Sequence, residues 1–94
     1  MVAIYAPLVL LSQLHDMPQG YDHKIQLFGA EGDVTSHHHL NRINDLLDLW
    51  EMDHDDVKMR ILDQSILGKV KKWFRALPTG SIPNFSAFEG SFLA

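Results

Sequence analysis

Six histidines are the residues of this sequence best suited to chemistry, because a neutral imidazole nitrogen binds zinc and other transition metals. His37, His38 and His39 are consecutive, so on a helix their side chains point about 100° apart and do not share a face. No two histidines are four residues apart, the spacing that pairs side chains on one helical face. The other three fall in or near predicted loops: His15, His23 and His54. We therefore predict surface histidines, one of them packed near a helix start, with no metal and no cofactor.

Three aspartates resemble the start of a calcium-binding loop: Asp53, Asp55 and Asp56. An EF-hand loop also needs a glycine at its sixth position and a bidentate acid at its twelfth. Counted from Asp53, these positions hold Lys58 and Gln64. The aspartates fit a helix start better, with Asp53 as the cap and the other two favoured by the positive end of the helix.

The sequence contains no pattern typical of a catalytic site. It has no cysteine, which excludes disulfides, thiolate zinc sites and a cysteine nucleophile, and which fits a reducing compartment. No serine stands in a nucleophile-elbow motif, and the segment GAEG, residues 29–32, lacks the lysine and hydroxyl residue of a phosphate-binding loop. We therefore predict a cytoplasmic protein that is not an enzyme.

The basic residues concentrate in one short segment: Lys69, Lys71, Lys72 and Arg75. In a helix, Lys69, Lys72 and Arg75 share a face opposite much of the apolar stripe. This face is either a solvated polar surface or a docking surface for acidic groups. The neighbouring Trp73 and Phe74 can stack on bases, but their helical spacing favours the core. The net charge of −4 also disfavours a nucleic-acid binder.

Acidic residues concentrate one helix earlier, within residues 45–56. A surface that is negative at one end and positive at the other favours head-to-tail contact between copies. The alternative is that both clusters are solvated or pair within one chain. The candidate interface combines the basic segment with three acids: Asp48, Asp55 and Asp56.

Apolar residues recur at helical spacing along most of the chain, which predicts an all-α domain, a small bundle of about five helices. The first predicted helix follows Pro7. Its inner face carries three leucines: Leu8, Leu11 and Leu14. Residues 21–28 alternate apolar and polar side chains, which predicts a short extended segment. The second helix is predicted from a cap at Asp33 to about Met52.

A break at residues 65–68 separates the third and fourth predicted helices. The third is capped by Asp53 and turns three apolar residues inward: Val57, Ile61 and Leu62. The fourth begins at about Ile66, because a serine and a glycine interrupt the helical pattern just there. It carries the strongest apolar stripe of the sequence: Ile66, Val70, Trp73, Phe74 and Leu77.

A proline ends the fourth helix and a turn leads to the fifth. The residue before a proline is pushed out of the α region, so the helix ends at Leu77. Pro78 and Gly80 suit the second and fourth positions of a type I turn. Asn84 is a suitable cap for the last helix. The inner face of that helix carries Phe85, Phe88, Phe92 and Leu93.

Length and composition fit one small domain, residues 1–94, because 46% of the residues are apolar. The apolar start of the chain is far shorter than the roughly 20 residues that span a bilayer. No basic residue precedes it, so neither a membrane span nor a signal peptide is expected. The apolar stripe of the last helix still runs at Ala94, and we therefore expect a domain truncated at its C-terminal end.

Two segments carry a family resemblance. The segment LFGAEGDVTSHHHL, residues 27–40, resembles the loop-to-helix entry of the capsid-like domain in Gag polyproteins of plant gypsy-type retrotransposons. Gly29 replaces an aspartate of that pattern, and Val34 replaces a proline. Residues 61–94 are similar to the following part of the family pattern, and LPTGSI, residues 77–82, is the most specific stretch. The matching residues are Phe28, Asp33, His39, Leu40, Ser65, Leu67, Trp73, Phe74, Leu77, Pro78, Gly80, Ser81, Ile82, Phe85, Phe88, Phe92 and Leu93.

This resemblance implies an all-α lobe like the N-terminal half of a retroviral-type capsid. Such lobes are not enzymes; they build shells by self-association, while RNA is held elsewhere in the polyprotein. The expected function is therefore that of a structural lobe forming a weak homo-oligomer. The alternative is a host-domesticated, Gag-derived module that binds a protein or peptide in an apolar groove. The extended segment supplies the border of such a groove: Tyr21, Ile25, Leu27 and Phe28.

Overall fold

The computed structural model describes residues 7–10, 14–30 and 34–94. This part of the chain contains four α-helices: α1 (Ser36–Leu49), α2 (Asp55–Gln64), α3 (Gly68–Arg75) and α4 (Phe85–Leu93). A single 3-10 turn, Tyr21–His23, precedes α1, and the described ranges contain two isolated bridges but no strand. The all-α prediction is therefore confirmed, whereas the described residues form four α-helices rather than about five.

The core lies where α1, α2 and α4 pack against one another. Helix α2 is the most deeply placed, because Val57, Ile61 and Leu62 are completely buried, as predicted. Ten further apolar side chains of the described helices and bridges are buried around these three: Leu8, Phe28, Leu40, Ile43, Leu47, Met59, Ile66, Phe74, Ile82 and Phe88. Two phenylalanines at the ends of α4 complete the core: Phe85 and Phe92.

Helix α3 joins this core through one aromatic residue. Phe74 is fully buried and stacks on Phe88 of α4, with ring centroids 5.3 Å apart. Trp73 is partly buried and meets Phe92 edge to face at 6.3 Å. Phe74 is thus the core anchor of α3, and Trp73 covers the edge of the core.

The predicted first helix is wrong in the residues that the structure describes. Leu8 is buried in a parallel bridge with Ile82. The N–H of Val9 donates to the Ile82 carbonyl, and the N–H of Ile82 donates to the Pro7 carbonyl, each at 2.8 Å. Leu14, another leucine of the predicted inner face, is exposed. The bridge satisfies the backbone of the buried Ile82, which a local helix at Pro7 would leave without these partners.

The predicted extended segment is partly a turn. Residues Tyr21–His23 form the 3-10 turn, so the alternation of apolar and polar side chains does not mark a strand there. Phe28 pairs with Ile66 in the second parallel bridge. Its N–H donates to the Ser65 carbonyl at 2.8 Å, and its carbonyl accepts from the N–H of Leu67 at 3.0 Å. This bridge anchors the end of the segment beside the break between α2 and α3.

Helix α1 starts later than predicted. Thr35 is the cap, and its hydroxyl oxygen accepts the N–H of His38 at 3.1 Å. The prediction placed the cap at Asp33, which lies outside the described residues, as does Leu11 of the predicted first helix. A threonine two residues closer to the apolar stripe performs the same capping role.

Helix α1 also ends earlier than predicted, at Leu49 rather than near Met52. The N–H of Met52 donates to the Leu47 carbonyl at 2.9 Å, and the N–H of Glu51 donates to the Asp48 carbonyl at 3.0 Å. These two bonds form a Schellman motif, which satisfies the last carbonyls of a helix. The motif needs a left-handed residue after the cap, and Glu51 adopts it with φ of 51°.

The substitution Glu51→Gly is expected to raise the free energy of unfolding by about 0.5–1 kcal/mol, because glycine adopts a positive φ without the steric cost of a Cβ. Urea denaturation measures this change. Asp48→Gly is the matched control, since it also replaces an acid by glycine but inside α1, where glycine is a poorer helix former, and it should not raise the free energy of unfolding. If both variants are destabilised alike, the left-handed backbone of Glu51 carries no strain.

The cap of α2 differs from the prediction by one residue, and the start of α3 differs by two. His54, not Asp53, occupies the cap position of α2, and it makes no side-chain cap bond. Asp55 and Asp56 lie in the first turn, as predicted. The predicted break after α2 is confirmed, but α3 begins at Gly68 because Ile66 is held in the bridge with Phe28.

The turn before α4 is of a different type than predicted. The N–H of Ser81 donates to the Pro78 carbonyl at 3.2 Å, so Pro78 is the first residue of the turn. Gly80 is the third and has φ of 73°, which type II turns require and type I turns do not have. The predicted cap of α4 is confirmed, since the Asn84 side chain accepts the N–H of Ala87 at 2.8 Å.

Candidate interaction surface

His39 is the histidine packed near a helix start. It is fully buried on α1 and lies against the ring of Phe28, with centroids 5.0 Å apart. Its Nε2 is 2.8 Å from the Ser65 hydroxyl, and that hydroxyl donates to the Leu62 carbonyl at 2.6 Å. Because the hydroxyl proton is already used, Nε2 carries the imidazole proton and donates it to Ser65. The geometry therefore places a proton on Nε2 of His39, and in the neutral imidazole the lone pair is then on Nδ1.

The electrostatic surroundings favour the same neutral state. Burial, with the positive charge of Arg42 and the neighbouring His38, lowers the pKa of His39 to about 4. Nδ1 lies 3.5 Å from an Arg42 nitrogen, which suits an unprotonated acceptor. The His39–Ser65 pair thus joins α1 to the end of α2 from inside the core.

A buried carboxylate fixes the segment around His15 to α2. Asp56 accepts the backbone N–H of His15 at 2.9 Å, the His15 Nδ1 proton at 2.8 Å and an Arg60 N–H at 3.0 Å. Arg60 also donates to the His15 carbonyl. The ring of His54 stacks on that of His15 with centroids 3.6 Å apart. Three side chains of α2 and its N-terminal cap thereby hold one residue of the preceding segment.

Asp56 was predicted as an interface acid, but its carboxylate is turned inward and is only 3% exposed. Burial acts to raise the pKa of Asp56, but the two hydrogen bonds from His15 and the charges of His15 and Arg60 outweigh it. The net pKa lies below the ordinary aspartate value. Asp56 is therefore ionised, and its hydrogen bonds link the segment around His15 to α2.

The substitution His15→Ala is expected to lower the free energy of unfolding by about 1–2 kcal/mol, because it removes the side-chain bond to Asp56 and the stack on His54. His23→Ala is the control, since His23 is exposed and lies in the same part of the chain. It should change stability by less than about 0.5 kcal/mol. Urea denaturation measures the free energy of unfolding of both variants. Equal values would show that the contacts of the His15 side chain with Asp56 and His54 contribute nothing to stability.

Lys71 was predicted as an interface base and is also turned inward. Its Nζ donates to Asp63 Oδ1 at 2.5 Å and to the Asp63 carbonyl at 2.6 Å. Burial raises the pKa of Asp63, and Lys71 and Arg75 offset this only in part. The pair closes the kink between α2 and α3, so Lys71 is unavailable to a partner in this geometry.

The other candidate interface residues lie at the surface. Lys69, Lys72 and Arg75 are exposed on α3, and none of them forms a salt bridge with the described residues. Asp48 is exposed on α1, and the same holds for it. Asp55 is exposed, but one of its carboxylate oxygens accepts the N–H of Phe85 at 2.7 Å. Among the candidate interface residues, those that form no salt bridge with the described residues and no hydrogen bond named here thus lie on α3 and in the second half of α1.

A groove of about 410 Å³ lies between α1 and residues 24–26. Its apolar floor is formed by Ile43, Leu46 and Leu49. Leu49 is 74% exposed, more than any other large apolar residue described. Polar residues form the remaining walls: Lys24, Gln26, His39, Arg42 and Asp45. The sequence analysis missed this groove, although Leu46 and Leu49 lie three residues apart and off the predicted core stripe of α1, which was the available signal.

Three of the four residues predicted to border a groove lie together in the structure. Tyr21, Ile25 and Leu27 line a second depression, of about 220 Å³, beside Gln64. The Tyr21 hydroxyl donates to the Gln64 side-chain oxygen at 2.7 Å. Leu27 is 62% exposed there, whereas Phe28 is buried in the core and does not face the depression.

Two further findings bear on the kind of site. In residues 7–10, 14–30 and 34–94, no three or more histidine, aspartate or glutamate side chains are grouped so that they could hold a metal ion. Within the same ranges, none of the helices has both the length and the apolar character needed to cross a membrane. A third depression, of about 220 Å³, lies beside Val9, His15 and His54. The described surfaces open to a partner thus include three depressions and the exposed charges of α1 and α3.

The comparisons with known proteins assign no family to this chain. No protein-family model, curated protein or solved structure matches it. Any function has to come from the resemblance of residues 27–40 and 61–94 together with the surfaces just described.

Proposed function

We propose that this protein is a structural, self-associating helical lobe that acts by contact between copies and not by catalysis. The observation that carries the proposal is Leu49, which stands 74% exposed on α1 at a groove floored by Leu46. A capsid-like identity, a place in a retrotransposon Gag protein and a cytoplasmic location belong to the same proposal. They are supported by the resemblance of residues 27–40 and 61–94.

The internal use of the titratable groups supports a contact function. His39, Asp56 and Asp63 are buried, and each makes hydrogen bonds that join one element to another. None of the three is arranged to reach a substrate. By contrast, the free energy falls when a partner removes the exposed apolar side chains from water.

The expected association is weak. Stable interfaces bury about 1,200–2,000 Å² in total, and a groove with one exposed and one half-buried leucine covers far less. We therefore expect dissociation constants in the micromolar to millimolar range, as suits a subunit whose many contacts act together in a larger shell.

Size-exclusion chromatography with light scattering, run across protein concentration, tests the proposal. The mean mass of the parent protein should rise with concentration, and Leu49→Asp should stay closer to the monomer. Ser86→Asp is the matched control, because it adds the same charge at an exposed position of α4 and should behave as the parent does. A parent protein that stays monomeric at every concentration would overturn self-association.

The second candidate is a host-domesticated module that binds a protein or peptide. The depression beside Leu27 favours it, because Tyr21, Ile25 and Leu27 present apolar surface around a polar pair. A monomeric parent that binds an apolar peptide from a defined library, with binding lost in Leu27→Asp, would favour this candidate over the first.

A further inference from the structure

We infer that the groove between α1 and residues 24–26 binds a small amphiphilic monoanion, a carboxylate carried on an apolar chain. The carboxylate contacts the guanidinium of Arg42, and the chain lies along Leu46 and Leu49. This inference goes beyond the proposed function, because it concerns a small soluble ligand and not a second copy of the chain.

The lining of the groove carries an excess of one positive charge. Lys24 and Arg42 line it together with a single acid, Asp45. His39, the remaining titratable residue of the lining, is neutral at pH 7, because burial and the charge of Arg42 lower its pKa to about 4. The whole chain, in contrast, has a net charge of −4. A cationic groove on an acidic protein favours an anion, and one negative charge balances its lining.

Arg42 is the residue that receives the anion, because its guanidinium is held in place by neutral partners. Nη1 donates to the side-chain oxygen of Gln26, and Nη2 lies 3.5 Å from Nδ1 of His39. None of the described acids forms a salt bridge with Arg42, and its buried Nε has no hydrogen-bond partner among the described residues. Each terminal nitrogen keeps a second N–H, and such a pair of donors matches the two oxygens of a carboxylate.

The apolar part of the groove begins one helical turn beyond Arg42. Leu46 and Leu49 follow Arg42 by four and seven residues on α1, so the three side chains lie along one face. Seven residues of α-helix span about 10 Å. Leu46 is half-buried and Leu49 is 74% exposed, so both have apolar surface that a ligand can cover. A charge at one end and an apolar chain at the other therefore fit this face.

The size of the groove favours a small ligand over a folded partner. Its volume of about 410 Å³ lies within the range of small-molecule sites, roughly 300–1,000 Å³. Such sites combine apolar walls with a few polar groups that orient the ligand, and Arg42 and Gln26 supply these groups here. Leu49 also belongs to the proposed contact between copies, so ligand binding and self-association compete for this side chain.

Octanoate is the probe that tests the inference. It is titrated into dilute, isotopically labelled protein, so that contact between copies does not interfere, and amide signals are followed by NMR. Octanoate should shift the signals of residues 42–49. It should also bind more tightly than octanol, which lacks the charge, octylammonium, which reverses it, and acetate, which lacks the chain. Shifts confined to other residues, or equal affinity for octanol or octylammonium, would show that the inference is wrong.

Removal of the guanidinium should weaken octanoate binding selectively. Arg42→Met is expected to lower the affinity for octanoate by about tenfold or more, because hydrogen bonds to a charged group are lost, and to leave the affinity for octanol nearly unchanged. Arg75→Met is the matched control, since it makes the same substitution at an exposed arginine outside the groove. Thermal midpoints by circular dichroism establish that both variants are folded. Equal affinities of the two variants for octanoate would exclude Arg42 as the anion-binding residue.

A gain of affinity provides a second test that leaves Arg42 in place. Asp45→Asn removes the only acid of the lining and should tighten octanoate binding by about twofold to fivefold. Asp48→Asn makes the same change of net charge at an exposed position of the same helix but outside the lining, and it should bind octanoate as the parent does. If both variants gain affinity alike, binding follows the net charge of the protein and not the groove, and the inference fails.

Discussion

Phe74→Ala is expected to lower the free energy of unfolding by about 3–5 kcal/mol, which is a large share of the stability of a domain this small. The ring is completely buried and stacks on Phe88, so its removal opens a cavity between α3 and α4. Truncation of a buried phenylalanine costs about 3–5 kcal/mol. A domain of 94 residues has a free energy of unfolding of roughly 5–14 kcal/mol, and a small one lies toward the lower end. Circular dichroism with urea denaturation measures the loss.

Trp73→Ala is the natural comparison, because Trp73 is the neighbouring aromatic residue of the same helix. The sequence pattern alone predicts a core position for Trp73 and a loss of about 3–5 kcal/mol. In the structure Trp73 is only partly buried, so its truncation should cost clearly less than that of Phe74. A Trp73→Ala variant less stable than Phe74→Ala would mean that the core anchor of α3 is misassigned.

The free energy of unfolding is expected to fall by about 3 kcal/mol between about pH 6.5 and about pH 4, through His39 alone. The folded pKa of His39 is about 4, whereas an unfolded histidine titrates at about 6.5. In the window between these values the unfolded chain binds a proton that the folded chain does not bind. The contribution of neutral His39 is therefore complete above about pH 6.5 and is lost as the pH falls toward about 4.

The variant His39→Gln isolates this effect, because glutamine does not titrate but its amide can still donate to Ser65. Two other groups add their own pH dependence. The raised pKa of Asp63 contributes stability that decreases as the pH rises, and the lowered pKa of Asp56 contributes stability that is lost in acid. Asp63 and Asp56 are present in both the parent and the variant. The difference between the two proteins in free energy of unfolding, measured by urea denaturation across pH, therefore reports His39. Parallel curves would contradict a neutral, buried histidine.

Local patterns predict the second half of the fold well. Helix α4 follows from its cap at Asn84 and from phenylalanines at helical spacing, and both signals lie within ten residues of each other. The inner face of α2 follows in the same way. The predicted helix after Pro7 fails because Leu8 pairs with Ile82, and a partner so distant along the chain leaves no local signal.

The candidate surfaces are less predictable for the same reason. Asp56 and Lys71 look like exposed charges in the sequence, yet their partners His15 and Asp63 lie 41 and 8 residues away. The groove between α1 and residues 24–26 exists only because these two parts of the chain lie side by side, a proximity that periodicity does not encode. Exposure of Lys69 and Lys72, in contrast, follows from the amphipathic pattern of α3, since Phe74 fixes which side faces inward.

Disulfide capture between copies tests the central claim most directly. The chain has no cysteine, so Leu49→Cys and Leu67→Cys each introduce a single thiol at an exposed position. A disulfide forms only when the two Cα atoms come within about 7 Å, so it reports direct contact. Under mild oxidation of Leu49→Cys, alone and in an isotopically labelled mixture with Leu67→Cys, the account predicts more disulfide dimers linked through position 49 than a Ser86→Cys control forms, because Leu49 lies in the contact between copies. A yield through position 49 no higher than that of the control would contradict it.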